Sequence, residues 1–525
     1  MYDFIIRKPT IIDGTGEASY IADVGVVNGE IVEIAEDIPV KTESVVLAEG
    51  LVLTPGFIDV QNHSDSYWSL FDEPGLESML LQGFTSVLVG HCGTSLAPLL
   101  SPDAIKSSQK WHDLSGTNVN WRSFSEFAQT LAKQQLGINV GSLVGYGTLR
   151  RGLVGDVGRS LTSEETAVLA RELGKSLDEG AFGISCGLGY SHELHASEIE
   201  IYEMAKVLSK YKALLSVHLR NEAEGLASSV EEALDIADRA GVSLKISHFK
   251  VRGEPNWYVL RQVLDRLEDA VHRGTDVVFD VYPFETTWQP LYTYLPKWSV
   301  EGGRSAMLKA LEDSHQAKKI VSYLQNTGIR YMDMVVASSS YNLRVVSKSI
   351  GQIAQNMGVT SEEAIVELLR HGGSEVLVFE QSLSRSQVDE LIFHPLSVVA
   401  SDGGGFSSRY ATTHPSKLVH PRCFGTSVEF LTRSKASNGL AFEKAISKLT
   451  VRPAAVWGLK NRGQITVGAK ADMILLDPLK LKNVATLANP YRSPQGIEKV
   501  WVNGKLAVTD GKVTSTRAGH VLRKN

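Results

Sequence analysis

Six residues able to hold a metal or move a proton fall at the ends of separate apolar runs. His63 follows GFIDVQN, Cys92 follows FTSVLVGH and Tyr190 closes AFGISCGLGY. His218 follows ALLSV, His248 follows VSLKIS and Asp402 follows LSVVAS. One such residue would be ordinary; two histidines, a cysteine and an aspartate at equivalent places after different runs point to one shared metal site. Cys92, His218 and His248 would supply three sulfur and nitrogen ligands, which leaves a tetrahedral zinc one open position, the mark of a catalytic site. Water at that position loses a proton near pH 7 or so. Asp402 suits the general base that takes this proton and returns it to a leaving nitrogen. The alternatives are plain: Ser-Asp-Gly is also a common helix N-cap, and a cysteine can be a small buried hydrophobe. Cys92 lies between His91 and Gly93, in a turn, which favours the ligand reading. Cys186, inside a strand-like run, and Cys423, after HPR, read as structural.

Residues this far apart meet only if the ends of their strands meet. With INVGSLVGYG and DVVFDVYPF, the runs number eight, alternating with helix-like stretches. Near-continuous apolar runs mark buried parallel strands, and Thr162 with Glu165, and Thr360 with Glu363, form capping-box patterns that start helices. Eight β/α repeats predict an α/β fold, a (β/α)8 TIM barrel, whose sites gather at the carboxyl ends of its strands. The termini read differently. ADVGVVNGEIVEIAE and GIEKVWVNGKLAVTDGKV alternate apolar and polar residues around Asn28-Gly29 and Asn503-Gly504, a strong hairpin signal. Both ends are therefore expected to build one small β-sandwich domain, from residues 1–55 and 459–525, around a barrel at 56–458. The stretch at about 285–343, containing WQPLYTYLPKW, is too long for a simple connection and reads as an insertion over the barrel mouth.

Bulk properties fit a globular enzyme and exclude other classes. The chain has 525 residues, 43% apolar and 21% charged, with a net charge of −6, which argues against a nucleic-acid binder. No apolar run approaches the roughly 20 residues that span a bilayer, and MYDFIIRKPTIIDGTGE lacks the layout of a signal peptide. Three cysteines make no disulfide framework, so a reducing cytoplasm is the expected location.

At this point the motifs resemble a known family. TPGFIDVQNHSD and TVGAKADMILLDP are similar to the opening strand and the closing β segment of the amidohydrolase superfamily. GHCGTSLAP, GLGYS, VHLRNE, ISHFKVRG, DVYPF, ASDGG and HPRCFG together resemble its N-acyl-D-amino-acid deacylase (D-aminoacylase) group. The resemblance implies a tight zinc site at Cys92, His218 and His248, with Asp402 as catalytic acid/base. It also implies that Tyr190, Lys250 and Arg422 hold the substrate carboxylate and reaction centre, roles that suit a hydroxyl, an ammonium and a planar guanidinium. Lys250 could instead pair with Asp280, and Arg422 could brace a loop. The first-strand motif departs from the family. Its usual H-x-H reads Gln61, Asn62, His63 here, so His63 remains as a metal position while neutral Gln61 weakens any second metal sharing Cys92. One tight zinc is expected, with a second site weak or absent. Tyr146 stands in VGYGTLR where VGHGTLR is expected.

The leading expectation is zinc-dependent hydrolysis of the linear amide of an N-acyl amino acid, of D configuration. The partner is a small molecule bearing a carboxylate, with no nucleic acid and no membrane; assembly into a homo-oligomer stays open. A cyclic amidase of hydantoin or dihydropyrimidine type is the runner-up and would need no carboxylate clamp. An inactive scaffold is the third reading, and retention of Cys92, His218, His248 and Asp402 together counts against it.

Overall fold

All eight apolar runs contain strands: Phe57–Asp59, Phe84–Val89, Asn139–Ser142, Gly183–Gly187, Leu214–His218, Leu244–Ile246, Val277–Val281 and Ser397–Val399. The computed structural model describes every residue except 40, 41, 43, 112, 113, 115, 116, 340, 416, 438, 439 and 525. The first three strands pair in parallel, and the fourth to eighth do the same. Phe182 N–H donates to Ser142 O at 3.1 Å and joins the third strand to the fourth. At the carboxyl end, Asp402 N–H donates to Gln61 O (2.9 Å) and His63 N–H to Gly403 O (2.7 Å), which closes the ring. This (β/α)8 barrel therefore ties the segment carrying His63 directly to the one carrying Asp402.

Helices between the strands start where the sequence caps them. Thr162 and Glu165 exchange hydrogen bonds at the head of Ser163–Asp178, and Thr360 and Glu363 do so before Ser361–Gly372. Each box satisfies two N–H groups that the first turn otherwise leaves unpaired. In Ser163–Asp178 the buried positions Thr166, Leu169, Leu173 and Leu177 recur every three or four residues, so one stripe faces the barrel.

The connection from the seventh to the eighth strand carries its own unit. Thr286–Pro290 and Val335–Ser338 both pair antiparallel with Leu377–Gln381, and helices Gly303–Glu312, Ser314–Gln325, Ile350–Met357 and Ser361–Gly372 surround a separate apolar core. The 285–343 stretch supplies two strands of that sheet, and the central one lies beyond it, at 377–381.

Strands from the two ends of the chain share a sheet. Val52–Pro55 pairs in parallel with Thr10–Ile11 and antiparallel with Met473–Leu476. The Asn28-Gly29 and Asn503-Gly504 turns both have positive φ at each residue, 50° and 76°, and 48° and 75°, and each joins an antiparallel pair. Phe4 stacks on Trp501 with ring centroids 5.7 Å apart, within an apolar core that draws Ile6, Val24 and Val26 from one end and Met473 and Leu475 from the other.

Trp457 packs in a buried cluster with residues of the barrel strands. It is 2% exposed, meets Phe182 edge-on at 5.3 Å and belongs to a cluster with Leu214, Leu143 and Val398. Trp457→Ala should lower unfolding free energy by about 3–5 kcal/mol in a denaturant titration, the usual cost of emptying a large core site. A loss of ~1 kcal/mol or less would show that this side chain carries little of the barrel's stability.

Candidate metal centre and catalytic carboxylate

Cys92, His218 and His248 come together: their ligand atoms all lie within 4.8 Å of one another. Cys92 Sγ is 3.4 Å from His248 Nε2, and the rings of His218 and His248 meet edge-on with centroids 4.6 Å apart. The backbone is held in an unusual shape to achieve this. Cys92, His248 and Asp402 have φ of 54°, 37° and 49°, in the left-handed region that non-glycine residues seldom adopt. Such a conformation costs on the order of 1 kcal/mol or more and persists where surrounding contacts impose it. Here the His248 N–H donates to Asp280 Oδ1 at 2.8 Å, and that of Asp402 is fixed by the barrel closure.

Burial alone would raise the Cys92 thiol, but the charge of His248 and hydrogen bonds with His218, His248 and His63 hold it well below its ordinary value. The thiolate is thereby favoured. Burial and Lys250 would lower His248, yet Asp402, Cys92 and Glu222 raise it to about 10. Anionic groups crowd this spot and call for a cation. His218 Nδ1 is buried without a hydrogen-bond partner among the described residues. One sulfur and two imidazoles are the donor set of a zinc site with an open fourth position, so these residues fit the metal.

His63 stands beside this cluster. Its Nε2 is 3.0 Å from Asp402 Oδ1 and 3.9 Å from Cys92 Sγ. Burial would lower its pKa, but hydrogen bonds with Asp402 and Cys92 raise it to about 9. The Asp402 carboxylate is gripped from two sides, by His63 and by Arg422 Nη1 at 2.8 Å from Oδ2. Burial opposes its ionisation, but Arg422, His248 and His63 hold it well below the usual carboxylate range. Asp402 is thus a buried anion facing the cluster rather than a helix cap.

The three residues expected at the substrate lie around this centre, and two are already engaged. Arg422 pairs with Asp402 and lies over the rings of Tyr282 (4.8 Å) and Trp288 (5.9 Å), the latter from the unit between the seventh and eighth strands. Arg422 Nε has no hydrogen-bond partner among the described residues and is free to donate. Lys250 Nζ donates to Glu222 Oε1 (2.6 Å) and to His248 O (3.0 Å); Asp280 is not its partner. His248 Nδ1 lies 3.0 Å from Glu222 Oε1 and 2.8 Å from Lys250 Nζ; a proton on Nδ1 directed at Glu222 is the tautomer that presents the Nε2 lone pair to the cluster. The Tyr190 ring packs 4.8 Å from that of His218, and burial pushes its hydroxyl well above the ordinary range, keeping it a proton donor.

Several contributors escape a reading from the sequence. Glu222 sits in VHLRNE, four residues after His218, and its carboxylate was the available sign. Lys110 lies over the Tyr190 ring at 3.8 Å, with no motif to mark it. Lys245 donates to Gln61 Oε1 at 2.6 Å and pairs with Asp280; a lysine inside the apolar run VSLKIS was its signal. Tyr146 is buried and bonded to Glu200, which makes it a structural residue.

Residues 380–508 match the Amidohydrolase family. An N-acyl-D-aspartate deacylase of Alcaligenes xylosoxydans xylosoxydans is 32% identical over 99% of this chain and 95% of that protein. The chain belongs to the amidohydrolase family, in its D-aminoacylase group. Two solved structures of this group match with a TM-score of 0.84. One is an N-acyl-D-glutamate deacylase from Bordetella bronchiseptica, 28% identical with 99% of each chain covered, bound to zinc and a phosphonate that mimics the tetrahedral intermediate. The other is a D-aminoacylase, 26% identical over the whole of both chains, with a binuclear metal centre activated by one metal and attenuated by the second.

Among the three cysteines, all free and buried, only Cys92 lies in the cluster of described residues whose geometry could hold a metal. Cys92→Ala should abolish tight zinc binding measured by elemental analysis after dialysis, whereas Cys186→Ala and Cys423→Ala retain it. Full zinc content in Cys92→Ala would remove the thiolate from the site.

Proposed function

We propose that this amidohydrolase deacylates an N-acyl-D-amino acid, using Cys92, His218 and His248 to hold one tight zinc and Asp402 to move the proton. The observation that carries the reading is Asp402, a buried carboxylate kept ionised by Arg422 and His63 beside an open three-ligand cluster. Zinc, when bound, supplies Lewis acidity that polarises the scissile carbonyl and acidifies a water. The chain's own residues do the rest. Asp402 accepts the proton of the attacking water and delivers it to the leaving nitrogen, and its two partners keep the carboxylate aimed while it does so. The Tyr190 hydroxyl donates to the substrate oxygen that gains negative charge. The unpartnered Nε of Arg422 binds the substrate carboxylate, and Lys250, held by Glu222 and His248, adds positive charge nearby.

The D configuration rests on the activities of the relatives, as does the preference for a linear over a cyclic amide. The domain reading follows the same course: residues 1–55 and 459–525 form a β-sandwich domain around the barrel at 56–458, supported by the apolar core their strands share.

Asp402→Asn should keep its zinc and lose about 10²–10⁴-fold in turnover. Near-normal turnover would assign the proton transfer to another group. On the unaltered protein, an N-acyl-D-amino acid should be hydrolysed and its L enantiomer left intact. The D carboxamide should be about 10- to 150-fold poorer in kcat/KM, the value of one charge-assisted hydrogen bond. Equal rates on acid and amide would remove the carboxylate clamp, and turnover of a hydantoin alone would make the chain a cyclic amidase.

A further inference from the structure

A lysine with no exposed surface inside a barrel needs anions and acceptors for all of its charge. Lys245 is 0% exposed, and its contacts are specific. Its ammonium pairs with Asp280, donates to Gln61 Oε1 at 2.6 Å and lies 3.4 Å from Ser247 Oγ. Three contacts match the three protons it carries. Because Lys245 can only donate, it fixes which way the Gln61 amide faces: the oxygen accepts from the ammonium, and Nε2 donates to Cys92 Sγ at 3.3 Å. The second oxygen of Asp280 accepts from the His248 backbone. A continuous chain of contacts thus runs from Asp280 through Lys245 and Gln61 to the thiolate.

This chain reaches Cys92 through Gln61, the first-strand position that would have to supply a ligand to a second metal; a D-aminoacylase relative has a binuclear centre. We propose that the Lys245 ammonium is a built-in cation standing in for a second metal ion, and that with Gln61 it confines this protein to a single metal. The proposal rests on the one-zinc reading above and supplies its physical cause. Three features exclude a second ion together. Gln61 offers no imidazole lone pair, its N–H takes up electron density on the Cys92 sulfur, and the ammonium repels a dication while already neutralising Asp280. A carboxylated lysine would be anionic and would face the Asp280 carboxylate, so the pairing observed requires the ammonium.

Zinc content after equilibrium dialysis against excess zinc tests this directly. The unaltered protein should hold one zinc per chain, Gln61→His should still hold one because the ammonium remains, and Gln61→His with Lys245→Gln should hold two. Two zincs in the unaltered protein or in Gln61→His alone, or one in the double variant, would overturn the proposal. Should the double variant fail to fold, anomalous diffraction from crystals of the unaltered protein soaked in zinc decides. A single peak among Cys92, His218 and His248 is expected, and a second peak within ligand distance of Gln61 Oε1 overturns the idea. No zinc at all in the unaltered protein would instead defeat the metal reading of the site, a distinct failure.

Discussion

Buried negative charge at the carboxyl end of the barrel governs much of this structure. Cys92, Glu222, Asp280 and Asp402 lie at or just beyond the ends of barrel strands, almost without exposure, and an ionised group left unpaired there would be prohibitively unstable. Each anion therefore has an assigned positive partner. Asp402 has Arg422 and His63, Glu222 has Lys250, and Asp280 has Lys245. The Cys92 thiolate, surrounded by imidazoles, is the position left for a metal. In this arrangement the basic residues have two duties: they stabilise carboxylates within the protein, and they fix the orientation of those carboxylates.

Backbone and topology serve that charge pattern. The parallel barrel presents its strand ends in a ring, and its closure between Gln61 and Asp402 and between His63 and Gly403 brings the first and last segments to one place. Left-handed backbone at Cys92, His248 and Asp402 turns side chains inward that a regular strand would point elsewhere. Trp288, from the unit between the seventh and eighth strands, and Tyr282 cover the guanidinium of Arg422 with aromatic faces, which shields the Asp402 pair from water and strengthens it.

Local signals in the sequence were legible and distant pairings were not. Apolar runs located the barrel strands, Asn-Gly pairs located the hairpins, and Thr162 and Thr360 located helix starts, because each reports on a few neighbouring residues. Cys92, His218 and His248 could be grouped because a barrel brings strand ends together whatever the loops do. Lys245 and Gln61, 184 residues apart, carry no mutual signal, since the geometry of facing strands alone decides whether a buried lysine meets an amide or a carboxylate. The same holds for Lys250, whose partner is Glu222 rather than Asp280, and for Arg422, whose partner is Asp402. Residues 377–381 sit at the centre of a sheet begun at 286 because strand order is set by non-local pairing, which no window of sequence contains.

The proposed site needs one sulfur and two imidazoles gathered around a single ion. X-ray absorption at the zinc edge of the zinc-loaded, dialysed protein measures this without altering any residue. It should show one sulfur at about 2.3 Å and two imidazole nitrogens at about 2.0–2.1 Å, with no zinc–zinc scattering. A shell of oxygen and nitrogen without sulfur, or a clear zinc–zinc vector, would contradict it.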